Sequence, residues 1–527
     1  MTAQEGRMLM ASGTVRTQLT RRAALAGAAG VGAASLTGCR LAVNEARGAE
    51  GAGPRQGGTL ILAVNSDPTP QRVQSQGPTS STWRDLVFET LTAYDASGKP
   101  RPALATSWDL ADGGKTVTLR LRDEVRFHSG RPMTAQDVIF SLRRTAQPAA
   151  QSQVKSISAL ITDMSAPDPH TVVLRLKRQA SNLFDLFQFC SVVDQESAGG
   201  LKDGSAVIGT GPFRWQSWTA GSQLTLVRNT GYRVPGRPYL DRIEQPLISD
   251  PTALVTAMRG GRAQIAYGVA PMDAKGLSTD DRFTVNQGIS VAYSAGMNVT
   301  KPPFDNLQVR QAIGYAVDRK RALNQIFAGY GEISSLWWTR KEPGWDAGQS
   351  AAYSYDPARA RAMIARAGAA GAEVTMDVLG IQAARSLAEV VRYDLEAAGL
   401  RVNARVLETV DFTNRMAKGT LDGQMFLNGY GLSDMSAATF VSSVPAFALK
   451  NASHFESPEY GAAMNQVLTA SPAQRQPAVR RLGAYLLEQA FEQCFAITYS
   501  LNIQSKRVRD LGQSAVGSFV LTDTYLV

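Results

Sequence analysis

"LATSWDLADGGKTVTLRLRDEVRFHSGRPMTAQDVIFSLRR", Leu104 to Arg144, is the stretch on which the reading of this chain turns. Asp112-Gly113-Gly114-Lys115 predicts a tight turn, because glycine accepts the positive φ that hairpins demand. Val117, Leu119 and Leu121 alternate with Thr118, Arg120 and Arg122, so a strand buries one face there. Gly130-Arg131-Pro132 breaks the extended segment that follows. Thr134 then caps a helix, with Asp137 three residues on as the acidic partner for its amino end. Val138, Ile139 and Leu142 give that helix an apolar stripe. The pattern yields a strand pair, a turn and a capped helix, with no chemistry attached.

Three later blocks extend the pattern. "IGTGPFRWQSWTAGSQLTLVRNTGYRVPGRPYLDRIE" (Ile208–Glu244) reads as a Gly-rich loop followed by a strand pair. In "MNVTKPPFDNLQVRQAIGYAVDRKRAL" (Met297–Leu323), Val309, Ala312, Ile313, Ala316 and Val317 fall on one helical face. "YDPARARAMIARAG" (Tyr355–Gly368) completes the set. Together the four blocks resemble, in order, the signature of the family 5 extracellular solute-binding proteins, the peptide/nickel-binding type of ABC importers. Trp108, Asp112-Gly113, Val125 to Gly130, Pro132 to Ala135 and Asp137-Val138 carry the densest part of that likeness.

The resemblance implies an α/β, two-lobe periplasmic-binding-protein fold (type II, cluster C) with an extra subdomain in lobe I. Residues 58–297 are expected to form lobe I with the inserted subdomain, 298–486 lobe II, and 487–527 a return to lobe I. Such a protein binds rather than reacts: ligand is enclosed as the lobes close about a hinge, and the closed form is recognised by an ABC permease and ATPase complex. A monomer is expected.

The resemblance also points to ligand contacts. In peptide-binding members a Gly-Trp-x-x-Asp segment supplies a carboxylate to the ligand's amino group. Here "FLNGYGLSDMSAATF" (Phe426–Phe440) puts Gly429 and Tyr430 on the Gly and Trp, and Ser433 where the Asp belongs, with Asp434 one residue later. A hydroxyl cannot neutralise an ammonium, so amine recognition would fall to Asp434. Tyr430 and the pair Trp337-Trp338 are candidate aromatic walls, with burial in the core as the alternative for each. Asp67 and Thr69 are expected at the lobe I rim, and Asn298 at the crossover. Peptide-like molecules rank first as ligand, ahead of opine-type molecules, chelated metal and glycosides.

The amino-terminal passage "TRRAALAGAAGVGAASLTGCR" (Thr20–Arg40) is too short and too weakly apolar for a membrane-spanning helix. It reads as an export signal over residues 1–38. Arg21-Arg22 resembles a twin-arginine (Tat) signal. "Leu36-Thr37-Gly38-Cys39" resembles a bacterial lipobox, which would make Cys39 the lipidated residue, with 39–57 as a flexible spacer. A periplasmic location, or one on the outer face of the cytoplasmic membrane, follows.

The remaining composition narrows the function classes. Net charge is +10, but the arginines are scattered and form no nucleic-acid-binding stripe. The three histidines fit no H-E-x-x-H or Cys/His spacing, so neither metal nor cofactor is expected, and His128 is read as a packed structural residue. There is no G-x-S-x-G elbow, and Gly114-Lys115-Thr116 lacks the upstream Gly of a P-loop. Cys190 and Cys494 sit among apolar neighbours and read as two buried thiols. The alternatives weighed are an exported lipid-anchored hydrolase, against which the absence of catalytic constellations counts, and a ligand-sensing lobe for a membrane receptor.

Overall fold

In chain order, the strands that carry the architecture are β1 (Thr59–Ala63), β2 (Ala105–Ala111), β3 (Thr116–Leu121), β4 (Ile161–Asp168), β5 (Thr171–Leu176), β6 (Phe213–Thr219), β7 (Gln223–Arg228), β8 (Arg242–Pro246), β9 (Ile265–Tyr267), β10 (Phe283–Met297), β11 (Glu373–Leu379), β12 (Arg401–Leu407), β13 (Met425–Gly431) and β14 (Glu492–Ser505). These come from a computed structural model that describes residues 53–95, 97–514 and 517–527. Arg21-Arg22, Cys39 and most of the spacer lie outside the described residues.

One large sheet runs β12-β11-β13-β10-β14-β9-β1-β8-β7-β6, with the short strand Gly331–Glu332 paired to β14. It has two halves. β1 pairs in parallel with both β8 and β9 on one side, while β11 pairs in parallel with β12 and β13 on the other. The long antiparallel strands β10 and β14 belong to both. Phe283–Gln287 lies beside Leu501–Ser505, where β14 also meets β9. Ser290–Gly296 lies beside Glu492–Tyr499, and Val291–Met297 meets β13. The register slips between Gln287 and Ser290, so Gly288 and Ile289 bulge at the changeover.

A separate antiparallel sheet, β2-β3-β5-β4, forms a third layer. Val117, Leu119 and Leu121 face its core as alternation requires, and the turn before β3 holds Asp112, Gly113 and Gly114 at positive φ. Helix α1 (Ala135–Thr145) packs over it, opened by a capping box between Thr134 and Asp137. Arg131 binds both Asp137 and Asp194, fixing the loop before the helix. Every apolar residue assigned above to the stripe of helix α3 (Leu307–Ala316), including Val317 just past its end, is buried in the core under the second half of the sheet. Between α1 and α3 lies the short helix α2 (Leu183–Phe189).

His128 explains why the densest sequence block and the Gly-Thr-Gly-Pro loop occur together. The buried imidazole accepts from the Gly209 N–H at Nδ1 (3.3 Å), so Nε2 carries the proton and donates to the Gly211 carbonyl (3.0 Å). The His128 N–H donates in turn to the Gly209 carbonyl at 2.8 Å. The loop lies flat on Leu86 and Val87: a Cβ at Gly209 would sit 2.0 Å from the Val87 carbonyl oxygen, and one at Gly211 2.6 Å from that of Leu86. Cys190 and Cys494 are separate buried free thiols, each pushed up to about 12 by burial.

Candidate functional site

A cavity of about 570 Å³ opens among the segment around Tyr94, helix α2, the turn after β13, the loop of Lys341, Glu342 and Pro343, and the carboxyl-terminal segment. Tyr94, Asp95 and the α2 residues Asp185 and Gln188 line one side. Lys341, Glu342, Asp434, Ser436 and Arg475 line the other, and Gln513 and Ser514 close it from the carboxyl-terminal segment. A narrow extension of about 20 Å³ continues past Asp434 to Arg84 and Ser290.

Two buried carboxylates organise the walls. Asp185 projects from α2, whose only other polar residue is Gln188, and accepts from Tyr94 Oη (2.6 Å), Ser436 Oγ (2.5 Å) and Thr439 Oγ1 (2.5 Å). The last two come from the segment after β13, so this carboxylate ties the small-sheet layer to the second half of the molecule. Asn182 reinforces the tie by donating to Thr439 Oγ1 at 3.0 Å. Burial and the Asp185 charge push the Tyr94 phenol well above its usual range, so it remains a donor. Glu342 accepts both from Arg475, at 3.1 and 2.9 Å, and from the Ala437 N–H at 2.8 Å. Burial opposes the Arg475 charge, but Glu342 outweighs it and the guanidinium is held more firmly protonated than usual.

Some groups in the walls have bonding capacity left. Asp434 accepts from Thr339 Oγ1 at 3.0 Å and lies 3.3 Å from Lys341 Nζ, all through Oδ1. Gln513 Nε2 is enclosed with no partner among the described residues. Arg475 engages Glu342 through Nε and Nη2 only. The cavity therefore has an acceptor left at Asp434 Oδ2 and a donor left at Arg475 Nη1 among its lining residues.

Of the site residues expected from sequence, only Asp434 lines the cavity. Leu432 takes a left-handed φ of +77° at the end of β13, an uncommon geometry for leucine that turns the chain there. Ser433 is left fully buried, its Oγ unpartnered and its carbonyl accepting from the Thr339 N–H. Tyr430 belongs to the core: it packs edge-on to Phe440 and Phe447, and its Oη donates to Glu492 at 3.2 Å. Trp337 and Trp338 are also core residues, with no exposed surface, and Trp337 packs edge-on to Phe447 at 5.0 Å. Apolar burial outweighs the cleft role for all three rings.

The other three candidates serve the backbone. Asp67 accepts from Trp218 Nε1 (3.0 Å) and the Gly221 N–H (2.8 Å), holding the β6–β7 hairpin. Thr69 precedes the turn Pro70–Arg72. Asn298 Oδ1 accepts from the Thr300 N–H and hydroxyl, closing the turn after β10. Asp185, Glu342 and Arg475 were not singled out from sequence. A lone carboxylate inside "SNLFDLFQF" was a usable signal for the first; the other two sit in segments without one.

Residues 99–446 match the family model described as bacterial extracellular solute-binding proteins, family 5 Middle. The chain belongs to that family. Its members are the solute-binding components of ABC importers, and they bind ligand without transforming it. Di/tripeptide-binding protein 1 of Pseudomonas aeruginosa is 29% identical over 381 residues, 65% of this chain and 70% of that one. Heme-binding protein A of Haemophilus influenzae is 27% identical over 436 residues, 75% and 78% of the two chains. Among solved structures, NikA from Brucella suis, in complex with Fe(III)-EDTA, superposes with a TM-score of 0.78 at 22% identity, covering 89% of this chain and all of that one. DppA from Helicobacter pylori, in complex with the peptide STSA, gives 0.75 at 22% identity, covering 92% and 99%. The mixed α/β fold is thus that of the cluster C periplasmic binding proteins. No helix among the described residues is long and apolar enough to cross a membrane.

Proposed function

We propose that this family 5 protein captures a short peptide-like zwitterion in the cavity beside Asp434 and hands it to an ABC permease. The observation that carries this reading is the charge layout of the walls: a carboxylate with an unused oxygen, Asp434, and a guanidinium with an unused nitrogen, Arg475, line the same cavity. A ligand with an ammonium at one end and a carboxylate at the other meets both needs, and the volume is within the range of about 300–1,000 Å³ usual for small-molecule sites. The di/tripeptide-binding relative and the peptide complex of DppA support the same class.

In this reading residues 58–297 and 487–527 form lobe I and 298–486 form lobe II, with the hinge on β10 and β14. The bulge at Gly288-Ile289 and the strands' membership of both halves support that placement. Asp185 latches the closed form through Ser436 and Thr439. Cys39 carries a lipid anchor and Arg21-Arg22 directs Tat export, which keeps the protein on the outer face of the membrane as a monomer.

Titration calorimetry with a di- and tripeptide panel should give one ligand per chain, with mass spectrometry recovering it unaltered and scattering showing compaction on saturation. Catalytic conversion of any bound peptide overturns the reading, as does a panel without a single binder. Cys39→Ser should move the protein from membrane to soluble fractions in its native host; retention in the membrane sinks the anchor assignment.

A further inference from the structure

A second hollow, sharing no residue with the solute cavity, lies among the turn Pro70–Arg72, the end of helix α1 and the turn Ala198–Lys202. Its volume is about 490 Å³. Arg72, Arg144 and Lys202 line it together with Gln71, Gln147 and Gln151, and no carboxylate does. Asp203, next in sequence to Lys202, accepts instead from the Ser205 N–H at 3.0 Å.

Arg144 is the telling member. A basic residue in the last turn of α1 complements the helix dipole, which accounts for its charge. That does not account for its guanidinium being half-buried with Nε enclosed and without a partner among the described residues, while Nη2 donates to the Gln71 carbonyl at 3.1 Å. Other partly enclosed arginines here either face carboxylates, as Arg131 does Asp137 and Asp194 and Arg475 does Glu342, or spread over two or more backbone carbonyls, as Arg178, Arg310 and Arg319 do; Arg144 has one carbonyl only. Burial alone acts on Arg144, lowering its pKa with no anion to restore it. Arg72 and the three glutamine side chains add donors with no ion pair or hydrogen bond of their own among the described residues.

We propose that this hollow is an anion site that takes the phosphate oxygens of a phosphate ester, received in the fork of Arg144 and neutralised by Arg72 and Lys202. Guanidinium geometry matches phosphate oxygens two at a time, and three cations around one hollow without a competing carboxylate favour a doubly charged oxyanion over chloride. Two sources supply such a group at the outer face of a membrane: a soluble phosphate ester and an anionic lipid headgroup.

Thermal unfolding of the full chain, with glycerol phosphate titrated against sodium chloride at equal ionic strength, tests the site. Phosphate should raise Tm where chloride does not, with saturation. Arg72→Gln combined with Arg144→Gln should weaken the half-saturation point at least tenfold, while Arg143→Gln, one residue away on the exposed face, should leave it within twofold. If Arg144→Gln unfolds the protein, the exposed pair Arg72→Gln and Lys202→Gln gives the same readout. Co-sedimentation with vesicles containing phosphatidic acid, whose headgroup is a phosphate monoester, but not with phosphatidylcholine vesicles, lost in the double variant, assigns the headgroup; a saturable soluble effect alone assigns the free ester. Equal responses in wild type, double variant and Arg143→Gln overturn the proposal, since they mean diffuse attraction to a cationic surface. Peptide binding in the solute cavity should be the same in all these variants, so this proposal and the solute reading fail separately.

Discussion

The His128 clasp and the turn after β13 are both short runs rich in polar and small residues, yet they do opposite jobs. The clasp is all constraint. His128, Gly209 and Gly211 leave no polar atom for a ligand, because each is bonded to backbone, and their identities follow from close approach to Leu86 and Val87. The turn at Leu432–Ser436 is tied largely through side chains, Asp434 to Thr339 and Ser436 to Asp185, and delivers Asp434 and Ser436 to the cavity. Close approach of backbone to backbone dictates glycine in the clasp, whereas in the turn it is the polar groups of the side chains that a guest would meet.

Gly209→Ala puts the largest strain on that comparison. Its Cβ would meet a carbonyl oxygen at 2.0 Å on one side and the Phe88 ring at 2.9 Å on the other, and neither can retreat without moving the Leu86–Phe88 segment. The expected outcome is failure to accumulate as folded protein, or a loss of at least about 4 kcal/mol by denaturant titration, at the top of what single substitutions do. A variant with unchanged midpoint would show that the loop is adjustable and that the clasp is no scaffold.

Tyr430→Ala comes next and separates core from cleft within one segment. The ring is buried against Phe440 and Phe447, so truncation should cost about 3–5 kcal/mol. Tyr430→Phe keeps the packing and loses only the bond to Glu492, for about 1 kcal/mol. Calorimetric Tm should therefore rank wild type, Tyr430→Phe, Tyr430→Ala. A normal Tm with lost peptide binding in Tyr430→Ala would return the ring to the cleft wall.

Glu492 and His128 extend the contrast to pH. Burial lifts Glu492 from 4.5 to about 8, with Tyr430 and Ser294 donating to it, and lowers His128 from 6.5 to about 4. Glu492 stays protonated in the fold while the unfolded chain ionises, so stability falls as pH rises from 4.5 to 8. His128 stays neutral in the fold, so its contribution is lost as pH falls from 6.5 towards 4. The two slopes oppose one another between 4.5 and 6.5, and above 6.5 only Glu492 of this pair acts. Stability should drop by about 2 kcal/mol between pH 6.5 and 8 from this source, and Glu492→Gln should flatten that limb. A limb of the same slope in the variant would rule Glu492 out as its cause.

These contrasts explain what was readable beforehand. The turn at Asp112–Lys115, the alternation in β3, the capping box at Thr134 and the stripe on α3 all rest on local periodicity and cap chemistry, which the residues display directly. In "MFLNGYG" nearly every side chain of β13 is buried, so alternation gives no face and Tyr430 could not be placed. "SSLWWTR" offers no period at all, so the burial of Trp337 and Trp338 was not legible in it either. Asp185, Glu342 and Arg475 reach the cavity from segments 133 or more residues apart in the case of the ion pair and 251 apart in the case of Asp185 and Ser436. That juxtaposition depends on how the layers stack, and no local pattern records it.

Asp434→Asn gives the smallest change in the fold and the sharpest one in binding. Among the described residues the carboxylate's charged contact is Lys341, whose side chain is more than half exposed, and such a pair adds little stability. Tm should stay within about 1 °C, because roughly 0–1 kcal/mol is at stake. A ligand ammonium resting on Oδ2 would instead lose its countercharge inside an enclosed cavity, where a charge-assisted bond contributes about 1.5–3 kcal/mol. Affinity for a free-amine dipeptide should fall about tenfold or more, which corresponds to about 1.4 kcal/mol. The N-acetylated dipeptide, lacking the ammonium, should bind wild type and variant alike. If the free-amine peptide loses nothing, Asp434 is a partner for Lys341 alone, and the amine end of the guest is held by some other group.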